Sequence, residues 1–309
     1  MKRFLCFLFL NLTVGTLLAQ NADPRDRNAV NNPTSHPAPP GMMADSPVAF
    51  PEKGALPAIE APDLPFATYP VEKDYFLFSS PCRSLAQIAR LQAAMPSGQF
   101  VAPTRDWTHL ARTRARLEAG GEFHLLALGD SIVNDTMRSG WIAKLQEAYP
   151  QAKIRATVYV RGGGGCRHYR EEGRIGKYLV PLKPDLVFIG GISQGLDPQP
   201  FREVIGQIRS ALPDCEFVLA TGAFGTVDPR DEAAMAKAPH SATSSYGALL
   251  PGLATELNCA YLDLTRPWME YIRSSGQHPH RFYRDRVHAN EYGEQILGKI
   301  LLSWWTSIR

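Results

Sequence analysis

The chain has 309 residues, 44% of them hydrophobic and 20% charged, with a formal net charge of +3. That is ordinary globular composition, long enough for one sizeable α/β core plus extra segments. Charges of both signs are interspersed, and no basic tail or acidic block gives the footprint of a nucleic-acid or polyanion-binding protein, or of a stable membrane partner.

The N-terminus reads as an address. Lys2 and Arg3 precede a Phe- and Leu-rich run that ends near Ala19. A positive start, a short apolar region and a small residue at its end describe a secretory signal peptide over residues 1–19. The run is short for a full membrane span, and Cys6 lies inside it, a poor position for lipid attachment. The expected location is secreted or periplasmic after cleavage. Removing residues 1–19, with Lys2, Arg3 and Cys6, leaves a net charge of +1 and four cysteines, Cys82, Cys166, Cys215 and Cys259. An even number in an exported chain permits disulfides. Cys215 and Cys259 each open an apolar run, so they are either a bridge between neighbouring strands or two buried thiols.

Residues 20–74 are rich in Pro, Ala, Asn and Asp and carry no sustained periodicity. Such a stretch buries too little apolar surface to offset ordering and is expected to be a linker or a surface-draped arm. The remaining domain, 75–309, opens with an N-terminal helical extension (75–120) holding amphipathic patterns at 84–95 and 108–117. Apolar runs at 123–128, 154–160, 186–189, 217–220 and 261–264 then alternate with helical patterns at 137–148, 201–212, 233–257 and 291–305. The third of these helices is expected to break at Pro239 and Pro251. Short continuous apolar strands alternating with helices predict a parallel sheet covered on both faces. Five such strands give an α/β fold, a flavodoxin-like three-layer α/β/α sandwich whose ligands bind beyond the carboxyl ends of the strands.

Chemistry is concentrated in the loops after those runs. The first run leads directly into Gly129-Asp130-Ser131. A Ser just past a buried strand end is well placed to expose a nucleophilic hydroxyl, although Gly-Asp-Ser is also good turn and N-cap chemistry. Before the last helix stands Asp285-Arg286-Val287-His288-Ala289-Asn290. A Ser hydroxyl needs a His to take its proton, and that His needs a carboxylate to fix its tautomer. Asp285 and His288, three residues apart in one loop, supply both roles.

Gly-Asp-Ser after the first strand and Asp-x-Val-His-x-Asn-x-x-Gly before the last helix resemble the first and last blocks of the SGNH (GDSL-like) hydrolases. The resemblance covers roughly residues 123–308. It implies a five-stranded parallel sheet, a Ser131–His288–Asp285 relay, an acyl-enzyme intermediate, and neither metal nor cofactor. It also implies an oxyanion hole built from the N–H of Ser131, a glycine after the second strand, here Gly163 or Gly164, and an Asn after the third. The third strand instead leads to Gly190-Gly191-Ile192-Ser193-Gln194-Gly195. Ser193 stands where the family Asn belongs, so Ser193 or Gln194 is the expected substitute donor.

The same segment matches Gly-x-Ser-x-Gly, the nucleophile elbow of α/β-hydrolases, with Asp263 and His288 as partners for Ser193. An elbow must feed directly into a helix, whereas Asp197-Pro198-Gln199-Pro200 delays the helix here. His278-Pro279-His280 is a weak metal pair without nearby Cys or carboxylate ligands. The expected function is a secreted serine esterase acting on an acylated carbohydrate or other small ester, with O-acetyl groups on a polysaccharide as the leading substrate. An O-acyltransferase and a non-catalytic carbohydrate-binding module on the same fold are the alternatives.

Overall fold

The computed structural model describes residues 67–68, 85–161, 163–171, 173–192, 197–223, 228–231, 233, 242–284 and 287–306. Its framework is a parallel sheet. Five principal strands are β2 (Gly121–Gly129), β3 (Ala152–Val160), β4 (Leu186–Ile189), β5 (Glu216–Ala220) and β6 (Ala260–Leu262). They lie in the order β3-β2-β4-β5-β6, every pair parallel. This is the flavodoxin-like order predicted from the alternation of runs. A two-residue strand, β1 (Ala67–Thr68), adds to the outer edge of β3 in the register Ala67↔Ala156 and Thr68↔Thr157. It lies within the stretch read as an arm; the rest of 20–74 and the signal-like segment 1–19 fall outside the described residues.

Side chains alternate across the strands to feed two separate cores. Phe123, Leu125 and Ala127 of β2, Phe188 of β4 and Val218 of β5 point into one. Leu126, Leu128, Val187, Ile189, Phe217 and Leu219 point into the other. A strand buried on both faces has no polar positions to alternate, which is why each run is continuously apolar. The first core is covered by α1 (Leu85–Ala94), α2 (Ala111–Ala119), α3 (Ser131–Arg138), α4 (Trp141–Ala148), α8 (Thr265–Ser274) and α9 (Glu291–Trp305). Trp304 and Trp305 are fully buried there and contact Trp107, while Trp141 stacks on Trp305, so these rings are core. The second core is covered by α5 (Cys166–Tyr169), α6 (Gln199–Ala211) and α7 (Ala242–Glu256).

Three expectations need correction. The helix expected at 137–148 is two, α3 and α4, parted at Ser139 and Gly140, where Gly140 adopts φ 77°. Pro251 does not break α7, which runs through it while Leu250, Leu253 and Ala254 bury against the second core; Pro239 lies outside the described residues. Cys215 and Cys259 are free, buried thiols, and Cys166 is buried as well. The register Val218↔Ala260, extended by one residue, sets Cys259 beside Phe217 rather than Cys215. The two cysteines are thus on a diagonal of about 8 Å, beyond the roughly 7 Å that a disulfide spans.

Strand order reverses around β2: the chain goes to β3 on one side and then crosses to β4 on the other. The loops leaving β2, β3 and β4 therefore open a crevice at the carboxyl end of the sheet.

Candidate active site

The end of β2 passes into α3 without an intervening loop. Asp130, wholly buried, is the N-cap and Ser131 the first helical residue. One Asp130 carboxylate oxygen accepts from the N–H of Ile132 at 2.9 Å, closing the helix start. Its other oxygen accepts from the N–H of Ile192 at 2.7 Å, which ties the loop after β4 to the turn that carries Ser131. The approach is so close that a Cβ on Gly191, at φ 98°, would collide with the Asp130 carboxylate. A Cβ on Gly129 would come within 2.5 Å of the Gly190 carbonyl oxygen. These glycines are where the backbone of one loop is allowed to touch the other.

Ser131 and His288 are both half-buried, and Oγ of Ser131 lies 2.8 Å from Nε2 of His288. Because Ser131 is the first residue of a helix, its own N–H has no intrahelical acceptor, and it has none among the described residues. The loop after β3 starts with Arg161, whose N–H donates to the Gly129 carbonyl at 2.9 Å. Gly164 donates to the Arg161 carbonyl at 2.9 Å, so its N–H is already engaged in a turn. Gly163, at φ 64°, keeps an N–H without an acceptor among the described residues. Tyr169 pins the loop from behind, its hydroxyl donating to the carbonyls of Tyr159 at 2.8 Å and Gly129 at 3.3 Å. His168, beside it, is pushed down to about 3 by burial and by the guanidinium groups of Arg161 and Arg174.

The loop carrying His288 is closed by an antiparallel bridge between Tyr283 and Ala289. Asn290 then caps α9, accepting from the N–H groups of Tyr292 at 3.0 Å and Gly293 at 3.1 Å. Asp285, Ser193 and Gln194 lie outside the described residues; the predicted site residues inside them are Ser131, His288, Gly163 and Gly164. Asp263, the acid that an elbow at Ser193 would need, accepts from the Thr221 hydroxyl at 3.3 Å and the Arg266 N–H at 3.0 Å at the start of α8. His278 and His280 pack edge to face at 4.5 Å, and no group of three or more metal-ligating side chains occurs among the described residues.

Three residues of this region carried no motif signal: Tyr169, Asp135 and Arg284. The latter two form an ion pair, 2.9 Å between Arg284 Nη2 and Asp135 Oδ1. Asp135 follows Ser131 closely enough to be read as a hydrogen-bonding partner of its turn, but nothing in the sequence pairs it with Arg284, so only the fold brings the two together.

A parallel three-layer sandwich with a Ser–His pair at the carboxyl end of its first principal strand defines a class of α/β hydrolytic enzymes. The model of the GDSL-like lipase/acylhydrolase family matches residues 127–296, more than half of the chain, and the chain belongs to that family of ester-hydrolysing enzymes. Among solved structures it is similar to LAE5, an α/β hydrolase from the metagenome of Lake Arreo, Spain, at 21% identity over 60% of this chain and 95% of that one, TM-score 0.47. It is similar to the acetyl xylan esterase AlAXEase at 20% identity over 59% and 98%, TM-score 0.47. A catalytic mutant of Axe2, an acetylxylan esterase from Geobacillus stearothermophilus, shares 20% identity over 62% and 99%, TM-score 0.48. No curated protein matches the chain.

Proposed function

We propose that this protein is an exported serine esterase that removes short acyl groups, O-acetyl groups of carbohydrate foremost, with Ser131 as nucleophile, His288 as general base and Asp285 as the carboxylate that orients His288. The observation that carries the reading is the 2.8 Å contact between Ser131 Oγ and His288 Nε2 at the ligand edge of the sheet. Hydrogen-bond reach between nucleophile and base is the first geometric requirement of this chemistry.

His288 takes the proton of Ser131 as Oγ attacks the ester carbonyl. The oxyanion that forms accepts from the N–H groups of Ser131 and Gly163, both without a competing acceptor among the described residues, and from a group of Ser193 or Gln194. Placing Ser131 at the first position of α3 adds the partial positive charge of the helix start. His288 next protonates the leaving alcohol, the ester C–O bond breaks, and the acyl group stays on Ser131. Water, deprotonated by His288, then releases the acid and restores the serine. Protein groups and water meet every step.

Support for a small acyl group on a polar alcohol comes from the described surface, where Leu85 and Val101 are the exposed large hydrophobic side chains; a long acyl chain calls for a larger apolar channel. Support for export is the Lys2–Arg3 start followed by a short apolar run.

The test is hydrolysis of p-nitrophenyl acetate by wild type, Ser131→Ala and Ser193→Ala, each checked for folding by circular dichroism. Ser131→Ala is expected to lower kcat by about 10⁴–10⁶-fold. Ser193→Ala is expected to lose about 10²–10³-fold at most, as for one oxyanion donor. If Ser193→Ala is dead and Ser131→Ala active, the nucleophile is misassigned. Acetate release from acetylated xylan, compared with long-chain esters, tests the substrate class.

A further inference from the structure

We propose that Asp135 and Arg284 form a clamp that sets the distance between Ser131 and His288, which makes both of them positioning residues for the reaction. The proposal rests on the reading of Ser131 as nucleophile and His288 as base.

Asp135 lies four residues after Ser131 on α3, so both sit on the same side of the helix, one turn apart. It is wholly buried, and its two oxygens are divided between two partners of the His288 loop. Oδ2 accepts from the N–H of Ala289 at 3.1 Å, and Oδ1 meets Nη2 of Arg284 at 2.9 Å. Arg284 in turn grips the same loop twice. Its backbone N–H donates to the His288 carbonyl at 3.0 Å, and its Nη1 donates to the Ala289 carbonyl at 2.8 Å.

The peptide unit joining His288 to Ala289 is therefore held at both ends. Its C=O is fixed by Arg284 and its N–H by Asp135, a side chain of the nucleophile's own helix. A peptide plane fixed on both sides leaves His288 little freedom in ψ, so the direction of its side chain follows α3 rather than the loop. Two further charges adjoin this pair, buried Glu294 and partly exposed Arg138. Glu294 of α9 lies 3.7 Å from Arg284 Nη1 and 3.1 Å from Arg138 Nε, with 1% of its side chain exposed. The two carboxylates, almost wholly buried, each have a partly exposed guanidinium within ion-pair distance. An ion pair of this kind is weak evidence for stability but well suited to fixing one geometry. Asp135 and Arg284 touch the loop backbone and each other, and act on the reaction only through His288.

The experiment measures kcat and KM for p-nitrophenyl acetate in Arg284→Ala, Asp135→Ala, Arg284→Lys and the double alanine variant, beside Ser131→Ala. A displacement of about 1 Å in a catalytic group costs on the order of 10²-fold. Arg284→Ala is therefore expected to lose about 10² in kcat with KM within about twofold, since the binding groups are untouched. With 33% of its side chain exposed, the Arg284 position is open to a small solute. Millimolar guanidinium is expected to restore about tenfold of the activity in Arg284→Ala and none in Asp135→Ala. The double variant is expected to be no slower than the worse single variant, as for residues acting as a unit. Arg284→Lys can meet Asp135 or the Ala289 carbonyl but not both, and is expected to be about tenfold slow; it serves if the alanine variant does not fold.

Wild-type kcat in a folded Arg284→Ala or Arg284→Lys overturns the clamp. So does a loss that follows the folded fraction alone and is not restored by guanidinium. Activity retained by Ser131→Ala overturns the reading of the site itself, which separates the two failures.

Discussion

Replacing Asp130 by Asn keeps the shape of the side chain and removes half of its accepting capacity. The carboxylate is wholly buried and accepts from two backbone N–H groups, Ile132 at 2.9 Å and Ile192 at 2.7 Å. Hydrogen bonds to a charged acceptor contribute roughly 1.5–3 kcal/mol each. In Asn one oxygen keeps one bond, while the amide NH₂ faces the other N–H, so one bond is lost and a buried donor is left unmet. The expected destabilisation is about 3 kcal/mol, which for a chain of this size lowers Tm by roughly 6–12 °C. Asp130→Ala removes both bonds and the cap and is expected to cost about 3–5 kcal/mol. The measurement is urea unfolding followed by the fluorescence of the buried tryptophans. Activity gives a second reading, because the Ile192 bond holds the loop that leads to Ser193 and Gln194. A tether lost there is expected to lower kcat by about 10²-fold at temperatures where the variant is folded. An Asn variant with the wild-type midpoint would refute the reasoning, since it would mean that the two bonds carry no net stability.

Gly191→Ala puts a methyl group into the Asp130 carboxylate at a backbone angle that L-residues rarely adopt; a loss of at least about 2 kcal/mol is expected by thermal unfolding. Burial, and then the guanidinium of Arg155, push His124 down to about 4 from an ordinary 6.5. Below pH 6.5 the unfolded chain takes up a proton that the folded protein declines until about pH 4. Stability is therefore full above 6.5 and falls as pH drops through that window. His168 adds to the same slope. His124→Gln is expected to flatten it, and equal losses for variant and wild type between pH 7 and 5 would count against this account. Burial raises the thiols of Cys215 and Cys259 to about 12 and about 11. In a Cys6→Ser/Cys82→Ser variant no thiol is expected to label with a disulfide reagent until denaturant is added, and three then should; a single labelled thiol in denaturant would restore the Cys215–Cys259 bridge.

The principal strands were legible because a strand covered on both faces cannot hide its apolar character. Leu125-Leu126-Ala127-Leu128 has no other economical place in a water-soluble fold. The pairing of Ser131 with a His before the last helix was legible through the chemistry each needs from the other. What the sequence withheld was geometry between elements. Gly140 ends one helix and starts another within a pattern that reads as one, since both helices bury the same face. Cys215 and Cys259 look equivalent at the head of their runs, yet the stagger of β5 against β6 is a property of the sheet. Asp135 reads as a partner of the turn at Ser131 and nothing links it to Arg284 until α3 and the last loop are brought side by side.

The short strand β1 pairs with only two residues of the nine in β3, but it does so on the sheet's open flank. An unpaired flank of a parallel sheet is a template on which another chain can build. A shortened protein that starts after Thr68 would leave all of β3 bare on that side while keeping Ser131 and His288. The Ser131–His288 pair would be whole and the solubility compromised, so an inactive or aggregated truncation would report on self-association rather than on chemistry. Ala67 and Thr68, within a stretch that composition reads as a linker or draped arm, thus cover the middle of that flank.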